Sequence, residues 1–145
     1  MINYNTDTAT ILAISDHLSI CSNNFIPTLT NRVDIFKYAK KIRKFANTFE
    51  AWYKNDLIGL NAIYLNDTQT KIGFITNVSV DNRFNKLGIG VQLLKLSFEY
   101  AKNRGFERLI LEVHPLNVNA IHFYLKNGFC ELKNTPDYLI FYINL

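Results

Sequence analysis

The stretch "VSVDNRFNKLGIG", Val78 to Gly90, constrains this chain more than any other. It starts as a strand of alternating valines, crosses a polar and basic loop, and opens into the helical pattern "VQLLKLSFEYAKNRG". A helix start leaves backbone N–H groups without partners, and its dipole makes that end positive, so an anion can dock there. Gly88 and Gly90 remove side chains that would block the approach, while Lys86 and Arg83 add positive charge nearby. A Walker-type loop is excluded, because no Gly-Lys-Ser/Thr follows the glycines. A dinucleotide fingerprint also fails: the third position is Leu93, and the preceding strand belongs to an antiparallel region. This stretch alone leaves two readings open, a diphosphate cradle or a helix packed closely on a sheet.

The flanking sequence supplies the scaffold. At 145 residues, 48% apolar and 19% charged, the chain reads as one globular domain over residues 1–145. Ile11, Ile14, Leu18 and Cys21 recur at helical spacing, which predicts a helix from about Thr8 to Ser22 with Asp7 or Thr8 as cap. A second helix carries Ile35, Tyr38, Ala39, Ile42 and Phe45 on its apolar stripe, with Asp34 as cap and the cluster "KYAKKIRK" largely on its wet face. "TFEAWYK", "DLIGLNAIYLN" and "KIGFITNVSV" read as a three-strand antiparallel meander, with Gly59 and Gly73 marking close approach or a bulge. Next come a helix from about Gly88 to Arg104, the strand "RLILEV", a helix from about Asn117 to Asn127, and the strands "FCELKN" and "YLIFYINL". No first strand is evident ahead of the two N-terminal helices. The order αα–βββ–α–β–α–ββ is a mixed α/β (α+β) fold around one sheet.

The net charge of +4 is dispersed, which argues against a nucleic-acid partner. No apolar run approaches the ~20 residues that cross a bilayer, and no signal-peptide pattern is visible, so a cytoplasmic protein without membrane attachment is expected. Cys21 and Cys130 read as buried free thiols. His114 and His122 are separated by a helix start, so no metal site is expected.

A second stretch, "LILEVHPLNVNAIHFYLKNGF" (Leu109 to Phe129), joins a strand, a short loop and a helix ending at Gly-Phe. The two stretches, in this order and spacing, resemble the GNAT superfamily of acyl-CoA-dependent N-acyltransferases. The matching residues are Val78-Ser79-Val80, Asn85-Lys86-Leu87-Gly88-Ile89-Gly90, Glu112-Val113, and Asn117, Ala120, Ile121, Tyr124, Gly128 and Phe129. Asn85 stands where the family usually has Arg or Gln, so phosphate binding would lean on backbone amides, Lys86 and Arg83.

The resemblance implies acetyl-CoA as cosubstrate. Its diphosphate would rest on the amides of Asn85 to Gly90, and its pantetheine arm would pair with the open edge of Val78–Val80 as a pseudo-strand. That strand would splay from Leu109–Val113, and a backbone N–H near Val78 or Val80 would hold the developing oxyanion. Tyr124 is assigned as general acid to the sulfur; the alternative is a core aromatic. Glu112 is assigned as general base, the role given to a matching glutamate in the ribosomal-protein alanine acetyltransferases. Its alternative is a rim carboxylate. Asn117 reads as helix cap and as a partner of the pantetheine arm.

On the acceptor side, Glu50 and Trp52 share a strand face and, with Asn77, are candidate substrate-binding residues, against the plainer reading of Trp52 as core and Glu50 as surface charge. Phe25, Asn61 and Tyr64 are further candidates, and His17 reads as a surface or satisfied core residue. The segment from Arg32 to Lys41 resembles a helix of short family members that accompany sugar chemistry, which implies a small-molecule amine such as an amino sugar. Alternatives are a protein N-terminal acetyltransferase and a non-catalytic acyl-CoA-binding module. "YLIFYINL" is apolar on both faces, which fits a covered central strand or the seam of a homodimer.

Overall fold

The computed structural model describes residues 1–145. In chain order its elements are β1 (Ile2–Thr6), α1 (Ile11–Cys21), a short α2 (Leu29–Arg32), α3 (Ile35–Phe45), β2 (Asn47–Tyr53), β3 (Asp56–Tyr64), β4 (Ile72–Val80), α4 (Ile89–Asn103), β5 (Arg108–Val113), α5 (Val118–Lys126), β6 (Cys130–Asn134) and β7 (Leu139–Asn144). The strands form one seven-stranded sheet in the order β1-β2-β3-β4-β5-β7-β6. Every neighbouring pair is antiparallel except β4 and β5, which run parallel.

Helices cover both faces of β3, which is why Leu57 to Ile63 are buried without alternation. On one face, Ile14 and Leu18 of α1 and Ala39 and Ile42 of α3 pack over Leu57, Leu60 and Ala62. On the other, Ile89, Leu93 and Leu94 of α4 pack with Phe49, Ile58, Ile75, Leu109 and Leu111, and α5 adds Ile121 and Tyr124. Gly59 seats α4: a Cβ there would lie 2.9 Å from Ile89 and 3.1 Å from Leu93. Local signals set the helix starts. Asp34 accepts from the Lys37 amide at 3.0 Å, Asn117 from Ala120 at 3.2 Å, and Thr10 from Ala13 at 3.1 Å.

Three expectations need correction. β1 precedes the helices and pairs along β2 from Ile2↔Tyr53 to Thr6↔Phe49. Its sequence INYNT carries little apolar signal, because it is a short edge strand with only two half-buried side chains. The first helix begins after Thr10 rather than Asp7 or Thr8. Asp7 sits in a left-handed turn (φ 59°) and accepts from the Thr48 amide, while Thr8 donates to Glu50. Cys21 is buried as expected, but Cys130 is exposed on β6. β7 lies between β5 and the edge strand β6, paired on both sides.

The feature that makes a site is a gap. β4 and β5 pair only from Ile72↔Arg108 to Phe74↔Ile110, then separate. Against β3, Ala62 faces Asn77 and Ile63 faces Ile75, so Thr76 is the extra residue of a bulge. The bulge switches the parity of β4, and the strand ends turn apart beyond it.

Candidate active site

The register identifies which backbone groups line the gap. The Asp81 amide donates to the Ile58 carbonyl at 2.8 Å, and bonded pairs alternate along an antiparallel ladder. Ser79, paired with Leu60, therefore directs its backbone groups to β3, and Val78 and Val80 direct theirs away from β3, into the slot. A planar acyl or amide group entering there meets a strand edge with no partner strand, where the Val80 carbonyl accepts only a long 3.4 Å bond from Asn24 Nδ2.

The loop after β4 supplies the anion cradle. Lys86 (φ 65°) and Gly88 (φ 74°) are both left-handed, a curl that turns amides toward a common centre. α4 has no side-chain cap and no acidic residue in its first turn. The N–H groups from Lys86 to Val91 make no hydrogen bond within the protein, so Leu87, Gly88, Ile89 and Gly90 offer free donors. The two glycines serve different ends. A Cβ on Gly88 would meet nothing within 4 Å, so its role is backbone conformation and open access. A Cβ on Gly90 would lie 3.0 Å from the Phe123 ring, so its role is the close approach of α5 to α4. Arg83 does not contribute a free cation as expected, because its guanidinium pairs with the buried Asp81 at 2.7 Å. Asn85 turns its amide nitrogen to Asn82 at 3.3 Å within the loop. These free amides, with exposed Lys86 beside them, fit a diphosphate such as that of coenzyme A.

Tyr124 and Glu112 flank the slot from opposite faces of the sheet. Tyr124, on α5, stacks edge-on against Phe123 and Phe129 at 5.3 and 5.4 Å between ring centroids. Burial pushes its phenol well above the ordinary tyrosine range, and the hydroxyl forms no protein hydrogen bond. It is a neutral donor held in apolar surroundings. Glu112 lies on the other face of β5, opposite in sense to buried Leu111 and Val113. It is exposed there rather than buried, and its carboxylate has no partner in the protein.

On the Glu112 face the slot opens into a cavity of about 500 Å³ between β4, β5 and the α2–α3 segment. Phe25, Leu29, Val33 and Phe74 are its apolar walls, and Tyr38, Thr76 and Asn77 line its polar side. The Tyr38 hydroxyl bonds to the Thr76 carbonyl at 2.8 Å and lies 2.7 Å from Thr76 Oγ1, which ties α3 to the bulge. Burial pushes this phenol up to about 12. Arg32, Lys37 and Lys41 complete the wall.

Asn77 is held from behind. His17 of α1 is 1% exposed, and burial pushes its imidazole down to about 4, so it is neutral at pH 7. Its Nδ1 lies 3.1 Å from the Leu57 carbonyl, which can only accept, so Nδ1 carries the proton. Nε2 then accepts from the Ser79 hydroxyl at 2.8 Å. Ser79 Oγ and the Asn77 carboxamide are 2.8 Å apart. The atom placed there is Asn77 Oδ1, to which the Ser79 hydroxyl would donate; because that hydroxyl's one proton goes to His17, the donor count instead favours the flipped carboxamide, with its nitrogen toward Ser79.

Of the sequence-derived site residues, the slot gathers Val78, Val80, the loop from Asn85 to Gly90, Asn77, Glu112 and Tyr124, with Asn117 as the cap of α5. Glu50 and Trp52 do not belong to it. Glu50 is fully buried and accepts from the Thr8 amide and hydroxyl, the Ala9 amide, the Thr48 hydroxyl and Trp52 Nε1. It latches the β1–α1 junction to β2 and has no capacity left for a substrate. Asn61 turns to the Leu93 carbonyl of α4. Sequence reasoning missed Tyr38, which reads as core stripe, and Lys37 and Lys41, which read as wet face.

Comparison with known proteins agrees with this geometry. Residues 12–129 match the model of the acetyltransferase (GNAT) family. Streptothricin acetyltransferase A of Bacillus subtilis is 32% identical over 81 residues, 56% of this chain and 46% of the relative. This chain spans less than half the length of the curated relatives it matches. Among solved structures, PaiA N-acetyltransferase of Thermoplasma acidophilum, in complex with coenzyme A, superposes with TM-score 0.77 at 15% identity, covering 100% of this chain and 99% of that one. The ribosomal-protein-S18-alanine N-acetyltransferase of Escherichia coli superposes with TM-score 0.79 at 17% identity, covering 99% and 94%. The splayed β4–β5 pair, the bare amides at the start of α4 and the family match over most of its length together place this chain in the GNAT acetyltransferase family.

Proposed function

We propose that this protein moves an acetyl group from acetyl-CoA to the primary amine of a small molecule, an amino sugar being one such acceptor. The observation that carries the reading is the arrangement at the slot: backbone edges of Val78 and Val80 in the gap, Glu112 on the cavity face and Tyr124 on the other. Acetyl-CoA supplies the activated acyl thioester. The amides of Lys86 to Val91 hold its diphosphate, and the Val78–Val80 edge aligns its arm and offers an N–H to the acyl oxygen.

Glu112 takes a proton from the acceptor's ammonium, because only the free amine has a lone pair. The new N–C bond forms as the C–S bond breaks, and Tyr124 delivers its proton to the departing sulfur. Of the two protons shed by the ammonium, one replaces that of Tyr124 and the other leaves to solvent through the open cavity. Burial keeps Tyr124 protonated until the sulfur needs it. The enclosure by α2 and α3, with Phe25 and Leu29 as walls, favours a compact acceptor.

A protein N-terminal amine is the second reading, supported by the likeness to the S18-alanine enzyme and by the Glu112–Tyr124 pair. An amine screen with acetyl-CoA that follows free thiol separates the two, with N-terminal peptides as a parallel arm. In it, Tyr124→Phe lowers kcat by ~100-fold, and Glu112→Gln flattens the pH–rate profile. Full turnover by Tyr124→Phe, or an unmoved profile for Glu112→Gln, overturns the corresponding role.

A further inference from the structure

The basic cluster of α3 divides in two. Lys40 and Lys44 lie over the exposed rings of Phe36 and Phe45, each 5.1 Å from a centroid. Lys37 and Lys41, one turn apart, line the cavity, and Arg32 at the end of α2 joins them; Lys41 also stands 5.7 Å from the centroid of the Tyr64 ring, a contact that leaves its ammonium hydrogens able to donate. None of these three pairs with a carboxylate; the protein's ion pairs are Arg43 with Asp7 and Arg83 with Asp81. The cavity's two acidic residues do not offset them equally. Asp34 is committed to the Lys37 amide as the cap of α3, while Glu112 stands across the cavity on β5 with its oxygens free.

The cavity is therefore bipolar. A carboxylate sits beside the slot where the acceptor nitrogen must arrive, and three cations stand on the helical wall away from it. Apolar Leu29, Val33 and Phe74 line the same cavity. A ligand with an ammonium at one end and an anion at the other satisfies both poles. A neutral amine leaves the cations unused, and a polycationic amine is repelled by them.

We infer that the acceptor is an amine that also carries an anionic group, a carboxylate or a phosphate, held by Arg32, Lys37 and Lys41 while Glu112 receives its nitrogen. This rests on the proposed acetyl transfer and narrows its substrate class. Charge-assisted bonds contribute more than neutral ones, so the anion gives about tenfold or more in kcat/KM. That gain shrinks as ionic strength rises.

The test uses matched pairs: an α-amino acid against its carboxamide, and a hexosamine against its 6-phosphate. Each is followed by thiol release with acetyl-CoA and, separately, by calorimetric titration. Wild type is compared with Lys37→Gln/Lys41→Gln, whose exposed side chains can be changed without disturbing the core. The expected result is a preference for the anionic member of at least one pair that collapses in the double variant while acetyl-CoA affinity holds. Preference in the first pair alone identifies a carboxylate, and in the second alone a phosphate. Equal use of neutral and anionic members overturns the inference and leaves the transferase reading standing. If no amine releases thiol although acetyl-CoA binds, the transferase reading fails, and the titrations still decide the anion site. Tighter binding of the anionic members, lost in the double variant, supports it, and equal binding overturns it.

Discussion

The two sides of the slot are built from different materials. On the proposed coenzyme side, the groups on offer are main-chain amides from Lys86 to Val91 and the edge of Val78 and Val80, all within one strand–loop–helix passage. On the acceptor side, the walls are side chains brought together from α2, α3, β4 and β5, with α1 behind them. Backbone chemistry is insensitive to most substitutions but intolerant of a changed dihedral angle. Side-chain chemistry can be re-specified one residue at a time.

This contrast also governs what can be read from the sequence. The loop with its glycines, the caps Asp34 and Asn117, and the Glu112 and Tyr124 positions are local signals, legible in sequence order. β1 is not, because INYNT becomes a strand only through its pairing with β2. The Thr76 bulge and the division of the lysines of α3 are likewise set by packing partners distant in sequence. Glu50 is the clearest case. Alternation correctly placed it on one face with Trp52, but only the three-dimensional fold brings Thr8 and Ala9 onto its carboxylate.

If side-chain-built parts are the sensitive ones, the buried latch behind α1, outside the slot itself, should fail hardest. Glu50→Ala strands two backbone amides and three side-chain donors in a buried site, which costs roughly 3–5 kcal/mol. Denaturant unfolding reads this directly, and a loss below about 1 kcal/mol would remove Glu50 as the latch.

His17 gives the next effect, through pH. Its native value of about 4 lies below the unfolded value of 6.5, so the folded state binds fewer protons in this window. Stability is complete above pH 6.5 and falls as pH drops toward 4, by roughly 3 kcal/mol in total. Asp81, held low by Arg83, adds acid sensitivity in the same direction, and that pair is retained when His17 is replaced. His17→Leu therefore lowers stability at pH 7 and flattens the acid slope. An unchanged slope would mean that His17 titrates alike in the folded and unfolded states, which contradicts its burial as the neutral form.

The coenzyme side should respond differently. Gly88→Ala places a side chain in open space, so its cost is the left-handed backbone, about 1 kcal/mol of stability. The same strain tips the amides out of line and raises the Kd for acetyl-CoA roughly tenfold. Equal affinity in Gly88→Ala and wild type would contradict the division between a backbone-built and a side-chain-built wall.

The most direct measurement is an amide-resolved NMR titration of the protein with acetyl-CoA. The largest shifts should fall on Lys86 to Val91 and on Val78 and Val80, with Glu50 and Trp52 unmoved. Shifts centred elsewhere, or no binding, would contradict a coenzyme seated on the bare start of α4 and aimed into the gap between β4 and β5.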